Sequence, residues 1–124
     1  MSLFTIDISN LLSSPVGTTE EFQFNQDIPV ETFEDLICHD WLHMNIKLIR
    51  QEYGIECLLL HIESTIEIPS EGIENKELEI TNISREFHIK KVVWDPDDIQ
   101  YIDIRDNTID LATIVREELL IAGL

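Results

Sequence analysis

The clearest pattern of apolar and polar positions lies near the C-terminal end of the chain. Apolar residues recur there at the spacing of one helix face: Ile109, Leu111, Ile114, Val115, Leu119 and Leu120. This spacing predicts an amphipathic helix that packs on a sheet. Thr108 or Asp110 can accept hydrogen bonds from the first free amides of the helix, and Gly123 suits a C-terminal cap.

Strands are predicted where apolar and polar residues alternate. The best example places four apolar residues between polar ones, namely Leu42, Met44, Ile46 and Leu48, and this is the period of a half-buried strand. The segment 51–54 ends in Gly54 and predicts a reversal. The returning strand is expected to place the following residues on one side: Leu58, Leu60, Ile62, Ser64, Ile66 and Ile68.

Weaker alternation predicts further short strands around Phe4 to Ile8, Phe22 and Phe24, Leu78 and Ile80, Phe87 to Val93, and residues 99–104. Residues 25–40 are acidic and weakly patterned, which indicates a loop with one helical turn, and 95–98 read as a turn. The predicted fold class is α+β: a single small domain over residues 1–124, with a mainly antiparallel β-sheet or partial barrel and a C-terminal amphipathic helix.

The composition favours a cytoplasmic globular protein. The chain of 124 residues is 44% hydrophobic, enough for one core. No stretch has the apolar length of a membrane span or the layout of a secretion signal. Its two cysteines, Cys38 and Cys57, do not make a disulfide framework, so a reduced compartment fits best, with a Cys38–Cys57 bridge as the alternative.

The charge is strongly acidic, with a formal net value of −17 and no lysine or arginine before Lys47. Such a balance disfavours a broad nucleic-acid groove or an anionic membrane surface and favours basic proteins as partners. Solubility alone is the alternative explanation. The acidic surface expected to bind a partner comprises Glu20, Glu21, Glu31, Glu34, Asp35, Asp95, Asp97 and Asp98.

One locally basic segment offers a minor RNA contact through Arg85, His88, Lys90 and Lys91. In a strand, Arg85 and His88 point to opposite sides, so the cationic patch is small. Ion pairing with neighbouring acids is the alternative reading, and the one we prefer.

Catalytic and metal-binding patterns are weak. Cys38, His39 and His43 have suitable ligand types, but a strand from Leu42 onward separates the two imidazoles. The acidic run 95–110 lacks the spacing of a calcium loop. The sequence has no P-loop, Rossmann or nucleophile-elbow motif, and Cys57 lies in an apolar run. We therefore predict neither an enzyme nor a bound cofactor or metal.

Several segments together are similar to one known family. They are the opening strand 4–8 with its turn, Gly17, the strand at Phe22 and Phe24, and the Ile109-Asp110-Leu111 entry to the last helix. The chain thereby resembles the YceD-like family of large ribosomal RNA subunit accumulation proteins. The family's C-x-R-C-L motif is absent, because residues 64–70 contain neither cysteine nor arginine.

The resemblance implies a non-enzymatic ribosome-biogenesis factor that supports accumulation of large-subunit (23S) rRNA. The acidic charge suggests that it binds a basic ribosomal protein or a pre-50S particle, with weak or indirect rRNA contact. The alternative hypothesis is an acidic protein-interaction module unrelated to ribosomes, such as an inhibitor or a nucleic-acid mimic.

Overall fold

A mostly antiparallel sheet and one closing helix make up the main architecture. The computed structural model describes residues 3–39, 41–89 and 100–124. The strands, in chain order, are β1 (Thr5–Asp7), β2 (Thr19–Gln26), β3 (Ile37–Cys38), β4 (Leu42–Gln51), β5 (Gly54–Ile68), β6 (Ile73–His88), β7 (Gln100–Tyr101) and β8 (Thr108–Asp110). The helices are α1 (Ser9–Leu12) and α2 (Ala112–Gly123), and 3-10 turns span Val30–Thr32 and Pro69–Glu71. The predicted α+β class is confirmed.

The main sheet has the strand order β2-β4-β5-β6-β7. The short strand β3 pairs with the end of β5 that β4 does not cover. All of its pairings are antiparallel except β6 with β7, which is parallel. A separate small sheet pairs β1 with β8. Among the described residues the main sheet stays open, since β2 and β7 are not paired with each other.

The core lies between the inner face of the main sheet and α2. In β4 the four alternating apolar residues predicted to face inward are all buried, between 0% and 3% exposed. From α2, Ile114, Val115 and Leu119 are buried in the same core, where the helix contacts β5 and β6. Burying both apolar faces removes them from water and is the main stabilising contribution. No described helix has both the length and the apolar character needed to cross a membrane.

The alternation of β5 changes phase in the middle of the strand. Cys57 and Leu59 are buried, whereas Leu58 is half-buried and Leu60 exposed. The expectation that Leu58 and Leu60 share a side with Ile62 was therefore wrong. A register shift between β4 and β5 explains this, because a β-bulge adds one residue and exchanges the two faces of the strand beyond it.

The last helix begins later than its apolar spacing suggested. Residues 108–110 belong to β8, where Ile109 pairs with Ile6 of β1. The predicted role of Asp110 is confirmed, because its Oδ1 accepts a hydrogen bond from the Ala112 amide at 2.9 Å. Pairing with a distant strand thus overrides the helical pattern of the first apolar residues.

Gly123 serves packing, in contrast to the capping role expected from the sequence. It is the last residue of α2, and a Cβ at this position would lie 2.6 Å from Ile66 Cδ1 and 3.0 Å from Ile68 Cδ1. The absence of a side chain lets the helix end approach β5 closely.

Three predicted regions differ in detail. The strand signals at Leu78 and Phe87 belong to one long strand, β6, and the segment 25–40 holds the end of β2, a 3-10 turn as expected, and the short β3. The strand expected at 99–104 is only β7. Val93 and the turn at 95–98 lie outside the described residues.

The turn between β4 and β5 requires glycine at position 54. Gly54 has a φ of +149°, and a Cβ there would lie 2.2 Å from the Phe87 carbonyl oxygen. A backbone atom held in a sheet cannot move aside as a flexible side chain can.

We predict that Gly54→Ala lowers the free energy of unfolding by about 2–4 kcal/mol, since it combines backbone strain with a clash. Gly17→Ala is the matched control, because Gly17 has a φ of +96° with nothing within 4 Å of a new Cβ; the control should cost about 1 kcal/mol. Urea denaturation measures both. Equal losses in the two variants would contradict the close approach at Gly54.

Candidate interaction surface

The main sheet turns one face away from the core, and we call it the open face. Its side chains are defined by the register of β2, β4, β5 and β6. They are Thr19, Glu21, Gln23, Asn25, His43, Asn45, Lys47, Ile49, Glu56, Leu58, His61, Glu63, Thr65, Glu77, Glu79, Thr81, Ser84 and Glu86. Most are exposed or half-buried polar residues, so this face is available to a partner.

Carboxylates on the open face stand opposite one another. Glu63 pairs across the strands with Glu79, and Glu56 pairs with Glu86. Like charges directly opposite each other in a sheet are destabilising. Lys47 is the only lysine or arginine of the described chain whose side chain belongs to this face. Among the residues that the structure describes, the open face therefore carries six glutamates against this one lysine.

Histidines lie beside both carboxylate pairs. His61 Nε2 is 3.2 Å from Glu63 Oε2, and its Nδ1 is 3.8 Å from Glu79 Oε1. His88 Nε2 is 3.0 Å from Glu86 Oε1, and the His88 ring stacks on Tyr53 at 4.5 Å. Burial, together with the nearby charges of Glu86 and Glu56, raises the pKa of Tyr53 to about 12.

Two adjoining grooves lie on the open face. The larger has a volume of about 660 Å³ and is lined by Trp41, His43, Glu63, Ser64, Thr65, Glu77, Leu78 and Glu79. The smaller, about 250 Å³, is lined by Gln23, Phe24, Asn25, His43, Met44, Asn45, His61 and Glu63. His43 and Glu63 line both, so the two grooves lie next to each other along these side chains.

Most described cations are bound within the fold. The Arg85 guanidinium donates to Glu118 of α2, Arg116 Nη2 lies 2.5 Å from Asp35 Oδ2, and Lys76 Nζ donates to the Gly123 carbonyl at 2.9 Å. Arg105 pairs with Asp103 at 3.4 Å. None of these four cations is paired with a carboxylate of the open face.

The predicted acidic surface is divided between different sides of the molecule. Of the five predicted members that the structure describes, only Glu21 belongs to the open face, since Glu20 alternates to the other side of β2. Glu31 and Glu34 are exposed in the segment after β2, and Asp35 is paired with Arg116. Asp95, Asp97 and Asp98 lie outside the described residues.

In the part of the small basic segment that the structure describes, residues 85–89, the side chains do not form a free cationic patch. Arg85 lies on the core side of β6 and pairs with Glu118, and His88 is held by Glu86 and Tyr53. The preferred alternative, ion pairing, is therefore confirmed for Arg85. Lys90 and Lys91 lie outside the described residues.

The cysteine and histidine cluster of 38–43 is separated in the fold. His39 Nε2 contacts Glu67 at 2.7 Å, whereas His43 faces Asn25 and Glu63. Within the described ranges, which leave out Asp40, no three metal-ligating side chains converge. Both cysteines are free and buried, and burial raises the pKa of the Cys57 thiol to about 12, which suppresses its reactivity.

Sequence reasoning missed the glutamates of β5 and β6 as a group. The signal was present, because Glu77 and Glu79 flank Leu78 at strand spacing. Their position opposite Glu63 follows only from the register of the long hairpin.

Comparison with family models, curated proteins and solved structures finds no match for this chain. The resemblance to the YceD-like family remains a prediction from the sequence. What the protein does must therefore be inferred from the geometry and charge of the open face.

We predict that Arg85 has a structural role. Arg85→Gln removes the ion-pair partner of Glu118, whose side chain is only 11% exposed. The variant should lower the free energy of unfolding by about 2–4 kcal/mol. The apolar double variant Arg85→Met with Glu118→Leu should recover most of that loss. Arg105→Gln, at an exposed pair, serves as the control and should leave stability unchanged. An Arg85→Gln variant as stable as the wild type would rule out the structural role.

A pH effect is expected at Asp35. The hydrogen bonds from the Arg116 guanidinium lower the pKa of Asp35 below its ordinary range. The pair therefore stabilises the fold above the ordinary aspartate pKa, and this contribution disappears as the pH falls through the lowered value.

Arg116→Gln should accordingly raise the pKa of Asp35, as measured by carboxyl-carbon NMR titration. Asp7 provides the internal control, because its pKa is lowered by hydrogen bonds from Ser9 and should not respond. An unchanged Asp35 titration would show that Arg116 is not the cause.

Proposed function

We propose that this protein is a non-enzymatic, cytoplasmic ribosome-biogenesis factor that binds a basic ribosomal protein, free or in a large-subunit precursor, through the open face. In this role it supports accumulation of 23S rRNA, in line with the YceD-like resemblance of its sequence. It masks the charge of its partner until that partner is placed on RNA, and it makes at most weak contact with rRNA itself.

The observation that supports this proposal is the placement of like charges opposite each other in the strand register, Glu63 with Glu79 and Glu56 with Glu86. Opposed carboxylates cost stability of about 0.2–1 kcal/mol per pair relative to neutral residues. A cationic partner converts that cost into binding energy, since each lysine or arginine it brings relieves the repulsion. A partner of this kind explains why the face holds opposed acids.

A ribosomal protein suits this surface better than RNA does. A basic ribosomal protein would bring the lysine and arginine side chains that an acidic surface attracts. RNA phosphates would be repelled by the open face, and Arg85 and His88 are already engaged within the fold. Within the described ranges few contacts remain for RNA, so we expect binding to the large-subunit precursor to occur mainly through its proteins.

The test compares two charge-reversal variants with the same change in net charge. Glu63→Lys with Glu79→Lys alters the open face, whereas Glu31→Lys with Glu34→Lys alters a distant exposed segment. Sedimentation of cell extract at low salt should find the wild type and the second variant with large-subunit precursors. The first variant should lose at least ~10-fold of that association because a specific charged surface has been reversed.

High salt should release the wild type as well, since exposed charges are screened. Equal behaviour of the two variants, or absence of the wild type from every ribosomal fraction at low salt, would refute the proposal. Displacement by added nucleic acid would instead favour the acidic module that mimics nucleic acid.

A further inference from the structure

We infer that the two grooves of the open face bind an extended basic segment of the partner, with one arginine side chain placed between Trp41 and the glutamates of the larger groove. This inference rests on the proposed function and specifies how it is carried out. The occupant is a cationic polypeptide.

The larger groove has the chemistry of an arginine site. The Trp41 side chain is 53% exposed although it is large and apolar, and it lines the groove together with Glu63, Glu77 and Glu79. A guanidinium is planar and weakly hydrated, so it stacks on an indole while its edges donate to carboxylates. A lysine ammonium satisfies the carboxylates as a point charge but gains less from the ring.

The smaller groove has the chemistry of a main-chain site. Gln23 and Asn45 pair across β2 and β4, and Asn25 stands opposite His43 in the next pair on the same face. A side-chain amide offers both a donor and an acceptor, so it can bind the N–H and C=O groups of a peptide without regard to sequence. Exposed amides beside the glutamates therefore complement an extended chain.

The proximity of the two grooves favours one extended occupant. His43 and Glu63 line both grooves, so a chain that binds in the amide groove is next to the groove that Trp41 lines. A second copy of this protein is disfavoured, because each copy carries a net charge of −17. A nucleic acid or an anionic membrane meets the same repulsion.

The experiment uses two synthetic peptides of equal length and charge, one with alternating arginine and threonine and the other with lysine in place of arginine. The chain contains two tryptophans, and Trp94→Phe leaves Trp41 as the single fluorescent reporter. In this background the arginine peptide should bind roughly five-fold more tightly than the lysine peptide and shift the Trp41 emission.

Trp41→Ala is the decisive variant, with affinity measured by calorimetry. Its side chain is mostly exposed, so the fold should be retained. The variant should bind both peptides equally, with the lysine-peptide affinity within about two-fold of the wild type, because only the stacking contact is lost. Glu79→Gln should weaken both peptides, whereas Glu31→Gln, away from the open face, should weaken neither.

The outcomes separate the two ideas. Equal affinity of the wild type for both peptides, or an arginine preference that persists in Trp41→Ala, overturns the arginine site and leaves the proposed function standing. Failure of the wild type to bind either peptide at low salt overturns the proposed function and the inference with it.

Discussion

The antiparallel pairing of β5 with β6 is the constraint on which the rest of the structure depends. It runs from Gly54 opposite His88 to Ile68 opposite Ile73 and forms the centre of the main sheet. β4 and β3 pair with β5, β7 pairs with β6, and α2 packs on the inner side of both strands. A change of one residue in this register would exchange the buried and exposed faces of the hairpin.

The same pairing segregates charge between the two sides of the sheet. On the inner side, Arg85 reaches Glu118 of α2, so the cation is neutralised next to the core. On the outer side, glutamates meet glutamates, and the described chain supplies Lys47 alone as a strong cation there. Burial demands that charges be paired, whereas solvent tolerates unpaired ones. An acidic sequence can therefore keep a stable core and still place most of the glutamates of β5 and β6 on the outer face.

Stability and function make different demands on the open face. Neutral or oppositely charged residues at 56, 63, 79 and 86 would stabilise the hairpin, but they would remove the charge that we propose attracts a basic partner. The exposed ring of Trp41, which lines a groove with Glu63 and Glu79, fits the same interpretation, because an aromatic surface adds selectivity for guanidinium to an otherwise general electrostatic attraction.

The sequence by itself determined the features that depend on local periodicity and on composition. These include the inward face of β4, the reversal at Gly54, the hydrogen bond from Ala112 to Asp110, the burial of Cys57 and the overall acidity. Each follows from neighbouring residues or from a sum over the chain.

Tertiary structure decided the features that need a partner distant in sequence. The bulge at Leu60 depends on pairing with β4, β8 forms because β1 lies beside it, and Gly123 is selected by its contact with Ile66. The same is true of the acids, since only the register between β5 and β6 places Glu63 opposite Glu79, and only the fold brings Arg116 to Asp35. Local patterns specify which residues avoid water, but long-range register specifies which residues meet.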